Sequence, residues 1–254
     1  MIGDNAATLS LECGEPLDVR TFSVQDRMNE LFALDVVAVS RNLDVDFDAV
    51  IGKAASFSLR TTTRTVTWSG VCASIRQVGV DEEGVATYEI AVRPRAWLLT
   101  ERRNFRVFQM KTEIDIAAQI LSEWGVAHEL RTQGGEKARK YRVQYDESDF
   151  AFVSRMLEDA GIDYFFEERD GETVMVLDDA TASRDVSKPL LPFVDTAQVT
   201  GGEFATKVLV TQRVRPGKVT IGDVDYRKSS DAQPRFSAGG GLPQEARLEQ
   251  FLHE

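Results

Sequence analysis

The first 93 residues carry six segments of strand composition with no helical periodicity between them: 7-ATLSLE-12, 20-RTFSVQ-25, 31-LFALDVVAVS-40, 55-ASFSLRT-61, 64-RTVTWSGVCASIRQV-78 and 86-ATYEIAVR-93. Several alternate apolar and polar residues, which places the apolar set on one face of a pleated strand. The longest holds Gly70 in its interior, where a bulge or bend lets a sheet curl. So many strands on so short a stretch predict a small antiparallel barrel or sandwich. Pro94 then breaks the pattern.

The hydrophobic period changes after residue 105. Thr112 with Asp115 has capping-box spacing, and Ile116, Ala117, Ile120, Leu121 and Trp124 follow at helical intervals before Gly125. A second helix fits 148-SDFAFVSRMLEDAG-161, with Phe150, Val153, Met156, Leu157 and Ala160 on its apolar face. Strands 162-IDYFFEE-168 and 172-ETVMVLD-178 meet across Asp170-Gly171, a strong hairpin signal. Residues 181–202 have the composition of a linker. Strands are expected again at 203-EFATKVLVTQRV-214 and 218-KVTIGDVDY-226, followed by a polar, Gly-rich, mobile tail over 227–247. The expected class is mixed α+β, mainly β: an antiparallel β-barrel over 1–104, an α+β domain over 105–190, and over 191–254 the incomplete start of a second β-barrel with its mobile tail.

The sequence has 254 residues, 43% hydrophobic and 28% charged, with a formal charge of −11. That balance argues against a general nucleic-acid or anionic-membrane binder. The N-terminus lacks a basic segment followed by an apolar one, so no signal peptide is expected, and no apolar run is long enough to span a bilayer. Cys13 and Cys72 both lie in strand-like sequence and are expected to be small buried hydrophobes of a reducing compartment.

Three carboxylates at alternate positions, Asp44, Asp46 and Asp48, raise the question of calcium. An EF-hand loop opens this way but needs Gly at its sixth position and Glu at its twelfth. Counting from Asp44 those positions hold Ala49 and Ala55; from Asp46 they hold Ile51 and Phe57. The reading preferred here is structural: Asp46 caps one helical turn, 47-FDAVI-51, and Gly52 ends it. Neither His128 nor His253 lies in a metal or catalytic pattern, and CxxC, GxSxG, P-loop and GxGxxG signatures are absent from the sequence. No catalytic residue, metal ligand or cofactor is therefore expected. Glu147 paired with Asp149 or Glu158 is the arrangement a glycosidase would need, but 41 acidic residues create many chance pairs, and solvated or salt-bridged carboxylates are the simpler reading.

One local charge feature stands out. The segment 93-RPRAWLLTERRNFRVFQMK-111 sets Arg93, Arg95, Arg102, Arg103, Arg106 and Lys111 against the single Glu101, with Trp97, Phe105 and Phe108 interleaved. An RNA site has this flavour; so does a subunit interface, where arginine and aromatics are enriched. With a net charge of −11, an interface or intrachain ion pairing is favoured. The candidate interface residues are Arg93, Arg95, Trp97, Arg102, Arg103, Phe105, Arg106 and Phe108.

The segment 143-VQYDESDFAFVSRMLEDAGIDYFFE-167 resembles the signature of the VgrG-type spike proteins of type VI secretion, which are related in fold to phage tail-hub proteins. Supporting stretches follow in the expected order at 27–40, 43–59, 68–79, 88–121 and 213–226, nearly the whole chain. The resemblance implies a structural hub rather than an enzyme. It implies a homotrimer in which two related barrels per chain make a ring of pseudo-sixfold symmetry, matched to a hexameric tube protein and to baseplate proteins. In relatives a longer C-terminal region adds a needle that carries a tip protein and effectors. This sequence lacks that region and is expected to be a fragment or a short variant, with trimerisation depending in part on the missing portion. The resemblance further implies assembly in the cytoplasm at the baseplate, then translocation by the injection machine, with no nucleic-acid partner and no membrane insertion by this segment. A phage-tail baseplate hub is the alternative within the same class.

Overall fold

A computed structural model describes residues 6–61, 64–134, 137–183, 192–194, 204–222, 235–245 and 247–253. The chain divides into two compact units. One comprises residues 1–191 with 199–203, and the other comprises 192–198 with 204–254.

The larger unit begins with six strands, β1 (Ala7–Leu11), β2 (Asp18–Gln25), β3 (Ala33–Ser40), β4 (Ala54–Arg60), β5 (Thr65–Val80) and β6 (Ala86–Arg93). They form one antiparallel sheet in the order β1-β4-β5-β6-β3-β2. Alternation works as read: along β6 every second residue, Ala86, Tyr88, Ile90 and Val92, is buried. These pack with Leu34, Val36, Ala38, Phe57 and Cys72 into one core. β5 serves two neighbours, pairing with β4 through Thr65–Val71 and with β6 through Val71–Val80. The change of partner falls beside Gly70, where an added Cβ would stand 1.9 Å from the Arg93 carbonyl oxygen. Only glycine permits that approach, and it lets the sheet curl into a half-barrel.

The aspartate-rich stretch is a capped turn. Asp46 Oδ1 accepts from the backbone N–H of Asp48 at 3.0 Å and Ala49 at 3.3 Å, and Ile51 N–H donates to the Phe47 carbonyl at 2.9 Å. Gly52 ends the turn at φ 71°. Among the described residues no group of three His, Cys, Asp or Glu could hold a metal ion. The cysteines differ from the expectation of two buried thiols. Cys72 is buried, and burial pushes its thiol up to about 11. Cys13 is exposed, because β1 has ended at Leu11 and the chain is already turning at Gly14.

A 3-10 turn, Arg95–Thr100, leads into the α+β half. There follow β7 (Arg103–Lys111), α1 (Glu113–Glu123), β8 (His128–Arg131), β9 (Arg139–Ser148), α2 (Asp149–Ala160), β10 (Asp163–Arg169) and β11 (Glu172–Asp178). The capping box of α1 is formed on both sides: Thr112 Oγ1 accepts from Asp115 N–H at 3.1 Å, and Asp115 accepts from Thr112 N–H at 3.2 Å. α2 is capped by Ser148 and ends at Gly161 in the left-handed conformation. The two helices bury Ile116, Ile120, Leu121, Phe152, Val153 and Met156 against Met175 and Leu177. β10 and β11 form the expected hairpin, and β8 adds to β11 in parallel.

This half is fastened to the half-barrel. Phe166 packs against both cores and meets Phe32 edge-on at 5.4 Å. Thr173 Oγ1 accepts from Ser69 N–H at 2.8 Å, and Asn29 exchanges backbone and side-chain bonds with Tyr164.

In the smaller unit β12 (Lys218–Gly222) pairs antiparallel with β13 (Arg235–Gly239) and parallel with β14 (Glu249–His253). Two expectations fail here. The segment expected as a strand over 203–214 makes only an isolated bridge, Phe193 with Ala205, and Val208, Leu209, Val210 and Val214 stand exposed. Strand composition alone does not make a strand; a partner must supply the ladder, and no described segment does. Conversely β13 lies inside the stretch expected to be a mobile tail, where Gly-rich composition concealed a pairing segment. Most of the expected linker, together with residues 223–234, lies outside the described residues.

Candidate functional site

The part of the basic island that lies on β7 resolves into two sets of side chains on opposite faces of one β-ribbon. β7 and β9 pair antiparallel as a two-stranded sheet, with Phe105 opposite Tyr145, Val107 opposite Val143, and Gln109 opposite Tyr141. Because side chains alternate across a strand, these six share one face, and Arg106, Phe108, Arg142 and Gln144 share the other. The second face covers the helices. Phe108 is buried and stacks on Phe152 at 5.6 Å with 20° between the rings. It therefore offers no surface, contrary to its place among the interface candidates.

The ribbon's inner face is organised around one carboxylate. Asp149, at the first position of α2, is fully buried. Its Oδ2 accepts from Arg102 Nε at 2.6 Å and Trp124 Nε1 at 3.0 Å; its Oδ1 accepts from Arg106 Nη2 at 2.8 Å and Gln144 Nε2 at 2.9 Å. Burial alone would raise its pKa. Hydrogen bonds from Gln144, Trp124 and Arg102 and the Arg106 charge outweigh burial and hold the carboxyl below the usual range. Glu123 joins both arginines, at 3.2 Å from Arg102 and 2.7 Å from Arg106. Arg102 also lies 4.8 Å over the Trp124 ring. Near the other end of the ribbon Glu113, nearly fully buried, accepts from Arg139 Nε at 2.9 Å and Arg142 Nε at 3.1 Å.

The remaining candidates divide the same way. Arg93 donates to the Leu34 and Val92 carbonyls and to Asp35, tying β6 to β3. Arg95 Nε donates to the Trp124 carbonyl at 2.8 Å, closing the C-terminus of α1. Trp97 is half-buried in the 3-10 turn. Arg103 is exposed and reaches Asp146, the extra residue of a bulge, at 3.3 Å. Arg102 and Arg106 are thus committed within the chain. Of the candidates, Arg95, Arg103 and Phe105 are exposed.

Sequence reasoning missed most of the exposed face. Phe105, Val107, Tyr141 and Tyr145 are 64%, 61%, 66% and 75% exposed, Val143 is also exposed, and Phe105 meets Tyr145 edge-on at 5.2 Å. At about 150–250 Å² for a large aromatic side chain, the five together leave an apolar patch on the order of 600 Å², at the upper end of the largest patch on an ordinary monomer. The signal was present in 141-YRVQY-145, apolar at every second residue like 105-FRV-107.

The carboxylates considered for sugar hydrolysis are not assembled as a pair. Asp149 has both oxygens engaged, Glu147 Oε1 accepts from Arg155 Nη2 at 2.6 Å, and Glu158 lies on the last turns of α2. The geometry instead presents an exposed apolar ribbon face above carboxylates locked to arginine.

Residues 25–254 match the phage tail baseplate hub (GPD) family. Among curated proteins, the type VI secretion system spike protein VgrG1b of Pseudomonas aeruginosa is 27% identical over 221 residues, covering 84% of this chain and 29% of that protein. VgrG5 of the same organism is 29% identical over 215 residues, covering 83% of this chain and 27% of its own length. The chain thus spans less than a third of these relatives. Among solved structures, an E. coli type VI secretion component, described as similar to the T4 tail proteins gp27 and gp5, superposes with a TM-score of 0.65 at 26% identity, covering 70% of this chain and 51% of that one. A tail protein of Neisseria meningitidis shares the fold, with a TM-score of 0.61 at 13% identity over 98% of this chain and 71% of that one. With the family matched over all but the first 24 residues, this chain belongs to the phage tail baseplate hub family.

Proposed function

We propose that this chain is the hub portion of a contractile injection machine of the type VI secretion class. Three copies form a ring that docks on a hexameric tube protein at the baseplate and takes part in delivering effectors. The observation that carries the reading is the family match over residues 25–254 together with the 0.65 superposition on a secretion component. The half-barrel, its fastened α+β half and a separate β unit are what a hub of repeated barrels requires. Assembly takes place in the cytoplasm, and the tip protein and effectors attach through regions that the longer relatives possess. A chain whose buried carboxylates are tied to arginine acts here as a scaffold, with no catalytic step.

A second reading keeps the same mechanics in a phage tail, and the tail protein that shares this fold over 98% of the chain favours it. One experiment separates the two: sedimentation of the purified chain with assembled tube protein from a type VI system and, in parallel, with a phage tail tube. The proposal expects co-sedimentation with the secretion tube. Binding to the phage tube alone selects the second reading, and binding to neither refutes a hub.

A further inference from the structure

We draw no further inference here: the strongest candidate, the exposed apolar face of the β7–β9 ribbon formed by Phe105, Val107, Tyr141, Val143 and Tyr145, is an unpartnered sheet face, and nothing in the structure shows what covers it.

Discussion

Asp149→Asn removes one negative charge from a fully buried position and leaves two guanidinium groups facing a neutral amide. The amide has one acceptor oxygen where the carboxylate has two. Either Arg102 with Trp124, or Arg106 with Gln144, then meets an N–H group that cannot accept. Breaking a buried ion pair from one side costs about 3–5 kcal/mol. The lower end applies here, because Arg102 is 40% exposed and both arginines keep Glu123 as a partner. We expect a loss of about 3 kcal/mol, or roughly 6–12 °C in Tm for a unit of this size. Urea unfolding followed by tryptophan fluorescence reads it directly, since Trp124 donates to the same carboxylate. A loss below about 1 kcal/mol, the value of an exposed pair, would refute the claim that this carboxylate holds the ribbon to the helices.

Gly70→Ala must move either Arg93 or the strand, since the new Cβ would stand 1.9 Å from a carbonyl oxygen; thermal melting should show a loss of at least about 2 kcal/mol. Thr112→Ala deletes one side of the α1 capping box and should cost about 1 kcal/mol by urea titration, while Thr112→Ser should restore most of it. Acidification should destabilise the larger unit in a defined window. Glu113, Glu123 and Asp149 all have carboxyls held low when folded, so their contribution is complete above the unfolded carboxylate pKa of about 4 and is lost as pH falls through their folded values. Stability measured from pH 7 down to about 2 should stay level as far as about pH 4.5 and then fall, more shallowly in Asp149→Asn.

The half-barrel was legible because β3 and β6 alternate: Leu34, Val36 and Ala38 on β3 and Ala86, Tyr88, Ile90 and Val92 on β6 are buried at every second position. α1 and α2 were legible because cap, stripe and stop agree at Thr112, Ser148 and Gly161. The ribbon was not, because its pattern is inverted. Its covered face carries Arg106, Arg142 and Gln144, bonded to buried carboxylates, and its exposed face carries the aromatics. Charge density drew attention to 93–111, where Arg93, Arg95, Arg102 and Arg106 bond within the chain, as one of the two favoured readings had it; it gave no hint of Tyr141, Val143 and Tyr145, some forty residues away in sequence. Parallel pairing of the short β8 with β11 is non-local and leaves no sequence mark at 128-HELR-131.

The central claim is that this chain builds a ring from copies of itself. The measurement that tests it most directly is the solution mass by light scattering across a wide range of concentrations. The account predicts that the mass rises from 28.3 kDa and levels at three times that value, about 85 kDa. A mass fixed at 28.3 kDa at every concentration would contradict it.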